Sequence, residues 1–180
     1  MAPGMDWLDD FAASWASQLP GRDLSSVPPL ARLGRLASLM DEFQKRVLAP
    51  HGLTPSEYSI LGALRRAGRP RQLRPSDLYQ TVACTPGGLT KMIDRLVRRG
   101  LVQRIENVDD RRSAYIRLTA KGAELERRAL ASYVEGADTL MAPLSAAERA
   151  TLDGWLERLR ICFEDPEAAR TGRQPTSRRA

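Results

Sequence analysis

Two cysteines, Cys84 and Cys162, cannot form a disulfide framework, and no Cys-x-x-Cys pair occurs in the 180 residues. A single histidine, His51, argues against a His-based zinc site and reads as a loop residue between Pro50 and Gly52. Aromatic residues make up 6%, which favours helices rich in Leu and Ala over an aromatic β-sandwich. No apolar run approaches the ~20 residues that span a bilayer. The acidic stretch Met1–Asp10 lacks the apolar core of a signal peptide. Gly-x-Ser-x-Gly, a phosphate-binding glycine loop and clustered metal ligands are all missing. A secreted, membrane-spanning, zinc-finger or enzymatic protein is therefore not expected. No cofactor is expected, and the anticipated location is the cytoplasm.

What is present is charge, unevenly placed. Lys plus Arg is 28 against 22 for Asp plus Glu. Residues 60–121 hold 14 basic and 5 acidic residues, a net of +9, which leaves −3 for the rest. A basic segment of this kind attracts polyanions, DNA foremost, although a solvated surface would look similar.

Hydrophobic spacing divides the chain into helices, one hairpin, then helices again. Trp7, Leu8, Phe11, Ala12 and Trp15 form an apolar stripe over residues 5–17, followed by a linker up to Pro28-Pro29. From Leu30, the residues Leu33, Leu36, Ala37, Met40, Phe43, Val47 and Leu48 mark a longer helix, stopped at Pro50-His51-Gly52. Thr54-Pro55-Ser56-Glu57 is a capping box that opens the next helix. A short helix then starts at Pro75, with Leu78 and Val82 inward. Another comes next with Thr85 as cap, Leu89, Ile93, Leu96 and Val97 on one face, and Gly100 as a left-handed stop. The segments 101–105 and 114–118 alternate with period two about a polar tip, predicting a two-stranded β wing. A long helix runs from Thr119 to about Met141. Ser145-Ala146-Ala147-Glu148 caps a last helix, and a Pro-, Ser- and Arg-rich tail is read as disordered.

Two short helices around a tight turn, the second rich in Thr, Lys and Arg, make a helix-turn-helix pattern. Its second helix suits a DNA major groove, with Thr85, Gly87, Gly88, Thr90 and Lys91 near the entering end. Gly87 and Gly88 permit close backbone approach to DNA, or else relieve a crowded turn. Arg95, Arg98 and Arg99 are read as phosphate contacts or solvated charges. Arg111 and Arg112 at the wing tip suit the minor groove, with pairing to Asp110 as the alternative use of one of them.

Three segments carry a family resemblance: Leu53-Thr54-Pro55-Ser56-Glu57-Tyr58, the stretch from Leu96 to Val102, and the stretch from Asp110 to Gly122. Together, over about residues 30–162, the chain resembles the MarR family of bacterial transcription regulators. The resemblance implies a mainly α (α+β) winged helix-turn-helix fold with a helical dimerisation domain. It also implies a homodimer that acts on a pseudo-palindromic DNA operator, usually as a repressor. The corresponding division is an extra N-terminal helix and linker (1–29), a dimerisation helix (30–52), a DNA-binding lobe (53–118), further dimerisation helices (119–162) and a basic tail (163–180). One departure concerns the wing: where the family shows Asp-x-Arg-Asp-x-Arg, this chain has Asn107-x-Asp109-Asp110-x-Arg112.

The extra helix with Trp15 is similar to a urate-responsive subgroup, in which a tryptophan, an aspartate and an arginine surround the ligand. Trp15 and Arg104 match that set, while Ser59 stands at the aspartate position and Arg66 lies nearby by resemblance. The substitution implies a more cationic pocket and a small anionic aromatic effector rather than urate. For Trp15 a core anchor, and for Arg104 a phosphate contact or surface charge, are the alternative readings. Two further alternatives remain: a redox sensor acting through Cys84, and a non-specific architectural DNA-binding protein.

Overall fold

A computed structural model describes residues 14–15, 18–79, 82, 86–106 and 114–165. Residues 14–15 are helical and fall within the first expected helix; Trp7, Leu8, Phe11 and Ala12 lie outside the described residues. Helix α1 spans Val27–Leu48 and leads into a 3-10 turn, Ala49–His51. It begins before Leu30, so the linker expected up to Pro28-Pro29 is partly helical. The reason is that first-turn residues have no intrahelical partner for their N–H groups, and proline gives up nothing there.

Helix α2, Pro55–Arg66, starts as its capping box requires. Thr54 Oγ1 accepts the Glu57 N–H at 3.2 Å, and Glu57 Oε2 accepts the Thr54 N–H at 3.0 Å. Strand β1 (Gln72–Leu73), helix α3 (Pro75–Tyr79) and helix α4 (Pro86–Arg98) come next. Strands β2 (Val102–Glu106) and β3 (Ala114–Leu118) pair antiparallel, with Val102 opposite Leu118 and Glu106 opposite Ala114. The expected two-stranded wing gains a third strand, because β1 pairs with the other edge of β3 through Gln72–Arg117 and Leu73–Ile116. Two residues are too few to show a period, so β1 left no mark in the sequence pattern. Helices α5 (Ala120–Met141) and α6 (Ala146–Glu164) complete the described chain.

Contacts divide the chain into two units, Met1–Tyr133 and Val134–Ala180, with the boundary inside α5. The first unit holds the core. Leu48, Ile60, Leu61, Leu64, Leu78, Leu96 and Ile116 are fully enclosed, which joins α1 to α4 and β3 in one apolar cluster. Beside it, Tyr133 of α5 meets Phe43 of α1 edge-on at 5.5 Å and Tyr58 of α2 in a stack at 6.0 Å. Arg65 bridges α2 to α5 by donating to Glu126 Oε2 at 2.6 Å and to the Ala123 carbonyl at 3.1 Å. Glu126 is buried, so this pair supplies the compensating charge and hydrogen bond that a buried carboxylate needs. In the second unit, the Ser145–Glu148 capping box opens α6, whose residues all remain at least partly accessible.

Candidate nucleic-acid interface

Helix α4 is strongly two-sided. Leu89, Met92, Ile93 and Leu96 are buried, and Val97 packs partly against them. Met92 was not among the expected core residues, although it lies three residues after Leu89 on the same face. At 100° per residue, Gly87, Lys91, Asp94 and Arg98 fall on one line opposite that core face. Gly87, Thr90, Lys91 and Arg98 are exposed, and Gly88 is half-buried. A Cβ on Gly87 would meet nothing within 4 Å. Among the described residues, then, no crowding accounts for this glycine.

The cations of this region fall into two groups. Among the described residues, Lys91 and Arg98 have no ion pair. Arg95 on the flank of α4 and Arg99 just beyond its end both approach Glu57: Arg95 Nε lies 3.1 Å from Oε1, and Arg99 Nη1 lies 3.7 Å from Oε2. Glu57 is 3% exposed, so its charge is placed where only these partners and the cap compensate it. On the outward line itself, Arg104 of β2 donates to Asp94 Oδ1 at 2.7 Å. Arg95 was expected at a phosphate or as a solvated charge, and its partner here is a carboxylate of the protein. The sequence showed Glu57 only as a capping residue. The clue to its second contact was the pair of arginines spaced i, i+4 at the end of α4.

The C-terminal end of α4 is braced by the residues just beyond it and by the start of α5. Gly100, at φ 67°, adopts the left-handed conformation expected of it. It donates to Val97 O at 2.8 Å, and Leu101 N donates to Leu96 O at 2.9 Å. Lys121 Nζ donates to Arg99 O at 2.8 Å, and the Thr119 hydroxyl sits 2.8 Å from Gly100 O and 3.0 Å from Leu101 O. The Gly122 N–H donates to Thr119 Oγ1 at 3.0 Å, so Thr119 also caps α5. Thus the run from Thr119 to Gly122 fixes the end of α4 and the start of α5 together.

Thr85, Arg111, Arg112 and Cys84 lie outside the described residues, as do Asn107, Asp109 and Asp110 of the wing tip. Trp15 is 46% exposed, Ser59 is half-buried on α2, and Arg66 is exposed in the last turn of α2. A Cβ on Gly62 would meet Arg66 Nη1 at 3.1 Å, so the guanidinium lies over its own helix. Serine at position 59 was expected to leave Arg104 without an acidic partner, and that expectation is corrected, since Asp94 takes the place. An open cavity of about 620 Å³ is lined by Arg69, Pro70, Arg71, Leu118, Thr119 and Ala120. Cys162 is an exposed free thiol, and His51 Nε2 lies 2.9 Å from Ser132 Oγ. No helix among the described residues is long and apolar enough to cross a membrane.

Known proteins give the same architecture a context. A family model described as MarR family matches residues 51–113. The chain is 30% identical over 152 residues to the HTH-type transcriptional regulator PecS of Dickeya dadantii, across 84% of this chain and 92% of that protein. It is 31% identical over 134 residues to the multiple antibiotic resistance protein MarR of Escherichia coli, across 71% of this chain and 90% of that protein. The crystal structure of a mutant MarR from Escherichia coli complexed with operator DNA matches with a TM-score of 0.64 at 29% identity, over 77% of this chain and 99% of that one. With helices α3 and α4 packed beside a three-stranded sheet, and relatives matched over nine-tenths of their length, the chain belongs to the MarR family of DNA-binding transcription regulators.

Proposed function

We propose that the protein is a repressor that binds a pseudo-palindromic operator as a homodimer and is released by a small anionic aromatic ligand. The observation that carries this reading is the outward line of α4, where Gly87, Lys91 and Arg98 offer a close-approach backbone and two cations without an ion pair. Such a face fits the major groove, with Thr90 and Gly88 beside it and Thr85 at its entering end. Arg111 and Arg112 are assigned to the minor groove at the wing tip. In this reading residues 53–118 form the DNA-binding lobe.

A second copy of this chain is the occupant that fits its exposed apolar faces. On α1, Leu30, Leu36, Leu39 and Met40 are each 40% or more exposed. In the second unit, Trp155, Leu156, Leu159 and Phe163 of α6 are equally bare and share one stripe at i, i+1, i+4 and i+8. Apolar stripes of this size mark association surfaces. The effector reading rests on Trp15, Ser59, Arg66 and Arg104. Serine in place of an acid favours an anion over urate, with Arg66 as its first partner and Arg104 shared with Asp94.

The test is binding to the DNA upstream of the protein's own gene against a scrambled duplex, measured over a salt series with aromatic acids and urate added in turn. A preference of ~10³ or more for the upstream DNA, lost with an aromatic acid, is the expected result. Equal binding to both duplexes with only a steep salt dependence would place the protein among architectural DNA-binding proteins instead. Release by urate at ordinary concentrations would overturn the inference from Ser59. Sedimentation of the free protein as a monomer at micromolar concentration would remove the homodimer.

A further inference from the structure

The cations around α4 are sorted by position. Lys91 and Arg98 stand on the outward line, while Arg95 and Arg99 are drawn onto the flank that faces the start of α2. The acid that draws them is anchored. Glu57 is buried, and its Oε2 already holds the Thr54 N–H of the capping box, so it cannot follow an arginine outward without opening α2. The arginines are different: their side chains are 51% and 34% exposed, and their stems would let them reach out if the acid were absent. The Arg104–Asp94 pair, on the outward line, differs in that both partners are nearly half exposed, which makes it weak.

We propose that Glu57 is a positioning residue that keeps Arg95 and Arg99 off DNA phosphates, and so limits the part of the affinity that is indifferent to sequence. The proposal builds on the DNA-binding reading above and adds a residue to it. Each arginine that finds a phosphate adds affinity to any duplex through counterion release. An effector commonly changes affinity by about 5- to 150-fold. Two more phosphates, at about 10-fold, would cancel the smaller of those shifts and blunt the larger ones. Glu57 keeps the grip weak enough to be released.

Glu57→Gln is the decisive variant. Glutamine keeps the shape, and its carbonyl can still accept the Thr54 N–H, as capping boxes allow. The full chain is titrated onto a scrambled duplex over a salt series, beside Arg95→Gln and the charge control Glu42→Gln on α1. Glu57→Gln is expected to bind about 10-fold tighter near 0.1 M salt, with a salt slope steeper by about 1 to 2, since each phosphate adds about 0.9. Arg95→Gln and Glu42→Gln are expected to leave the slope of the parent protein unchanged. A purely structural role for Glu57 would loosen α2 and weaken binding. Unchanged or weaker binding by a folded Glu57→Gln protein therefore overturns the proposal. A slope lowered by about 1 in Arg95→Gln overturns it too, because Arg95 would already hold a phosphate. Should Glu57→Gln fail to fold, the Arg95→Gln slope alone decides. Failure of the regulator reading is seen separately, as equal binding of the parent protein to upstream and scrambled DNA.

Discussion

Gly122 offers the sharpest test of how the winged helix is joined to α5. It is buried in the first turn of that helix, and an added Cβ would lie 2.0 Å from the Leu101 carbonyl oxygen and 2.9 Å from its carbon. It would also lie 2.9 Å from Leu118 Cδ1, a side chain that can turn away, whereas the carbonyl cannot. That oxygen faces the Thr119 N–H at 3.1 Å and the Thr119 hydroxyl at 3.0 Å. Making room for a methyl group moves the carbonyl by about an ångström and disturbs both contacts, at about 1 kcal/mol each. Overpacking adds about 1–3 kcal/mol, and the usual gain of alanine over glycine in a helix returns at most about 1 kcal/mol. Gly122→Ala should therefore destabilise by about 2–4 kcal/mol, or lower Tm by roughly 5–15 °C in a chain of this size. Urea unfolding and thermal melting of the parent and variant measure it. A variant melting at or above the parent temperature would refute the argument, because the close approach would then be absorbed at no cost.

Three other perturbations have signs fixed by the structure. Arg65→Met strands Glu126, whose side chain is 4% exposed, and should cost about 3 kcal/mol in urea unfolding; adding Glu126→Leu should recover most of it. Burial, then the nearby Glu126 charge and Tyr133, raises the Tyr58 hydroxyl above its ordinary value of 10.0. The unfolded chain then loses that proton first, so stability present below about pH 10 falls as pH rises through the folded value. Tyr58→Phe should flatten the alkaline limb of a Tm-versus-pH curve, and an unchanged limb would reject the assignment. Gly87→Ala should leave Tm level or slightly raised, since its Cβ meets nothing, yet weaken binding to the operator through lost backbone approach. Unimpaired operator binding would take Gly87 out of the interface.

The parts of the fold that were legible are those set by neighbours in the chain. The boxes Thr54–Glu57 and Ser145–Glu148 cap helices because the partners are three residues apart. Gly100 ends α4 because only the local backbone asks for a positive φ. The alternation in residues 101–105 and 114–118 predicted a hairpin, and the observed register places Arg104 opposite Ile116. Pro28-Pro29 misled as a helix break because proline's missing N–H matters in a helix interior and not in its first turn. Strand β1 escaped because its existence depends on β3, more than forty residues on, and not on a pattern of its own.

The sequence by itself determined the order of elements, the cationic middle of the chain and the two-sidedness of α4, since periodicity, caps and charge counts are properties of nearby residues. Only the tertiary structure decided what each charge does. Arg95 was read from sequence as a phosphate contact or solvated charge and Arg104 as an effector contact, but folding brings Glu57 to one and Asp94 to the other. Arg65 finds Glu126 across 61 residues, and Gly122 becomes indispensable because Leu101 passes over it. Ion pairs and close contacts act over a few ångströms of space, and separation along the chain does not fix that distance.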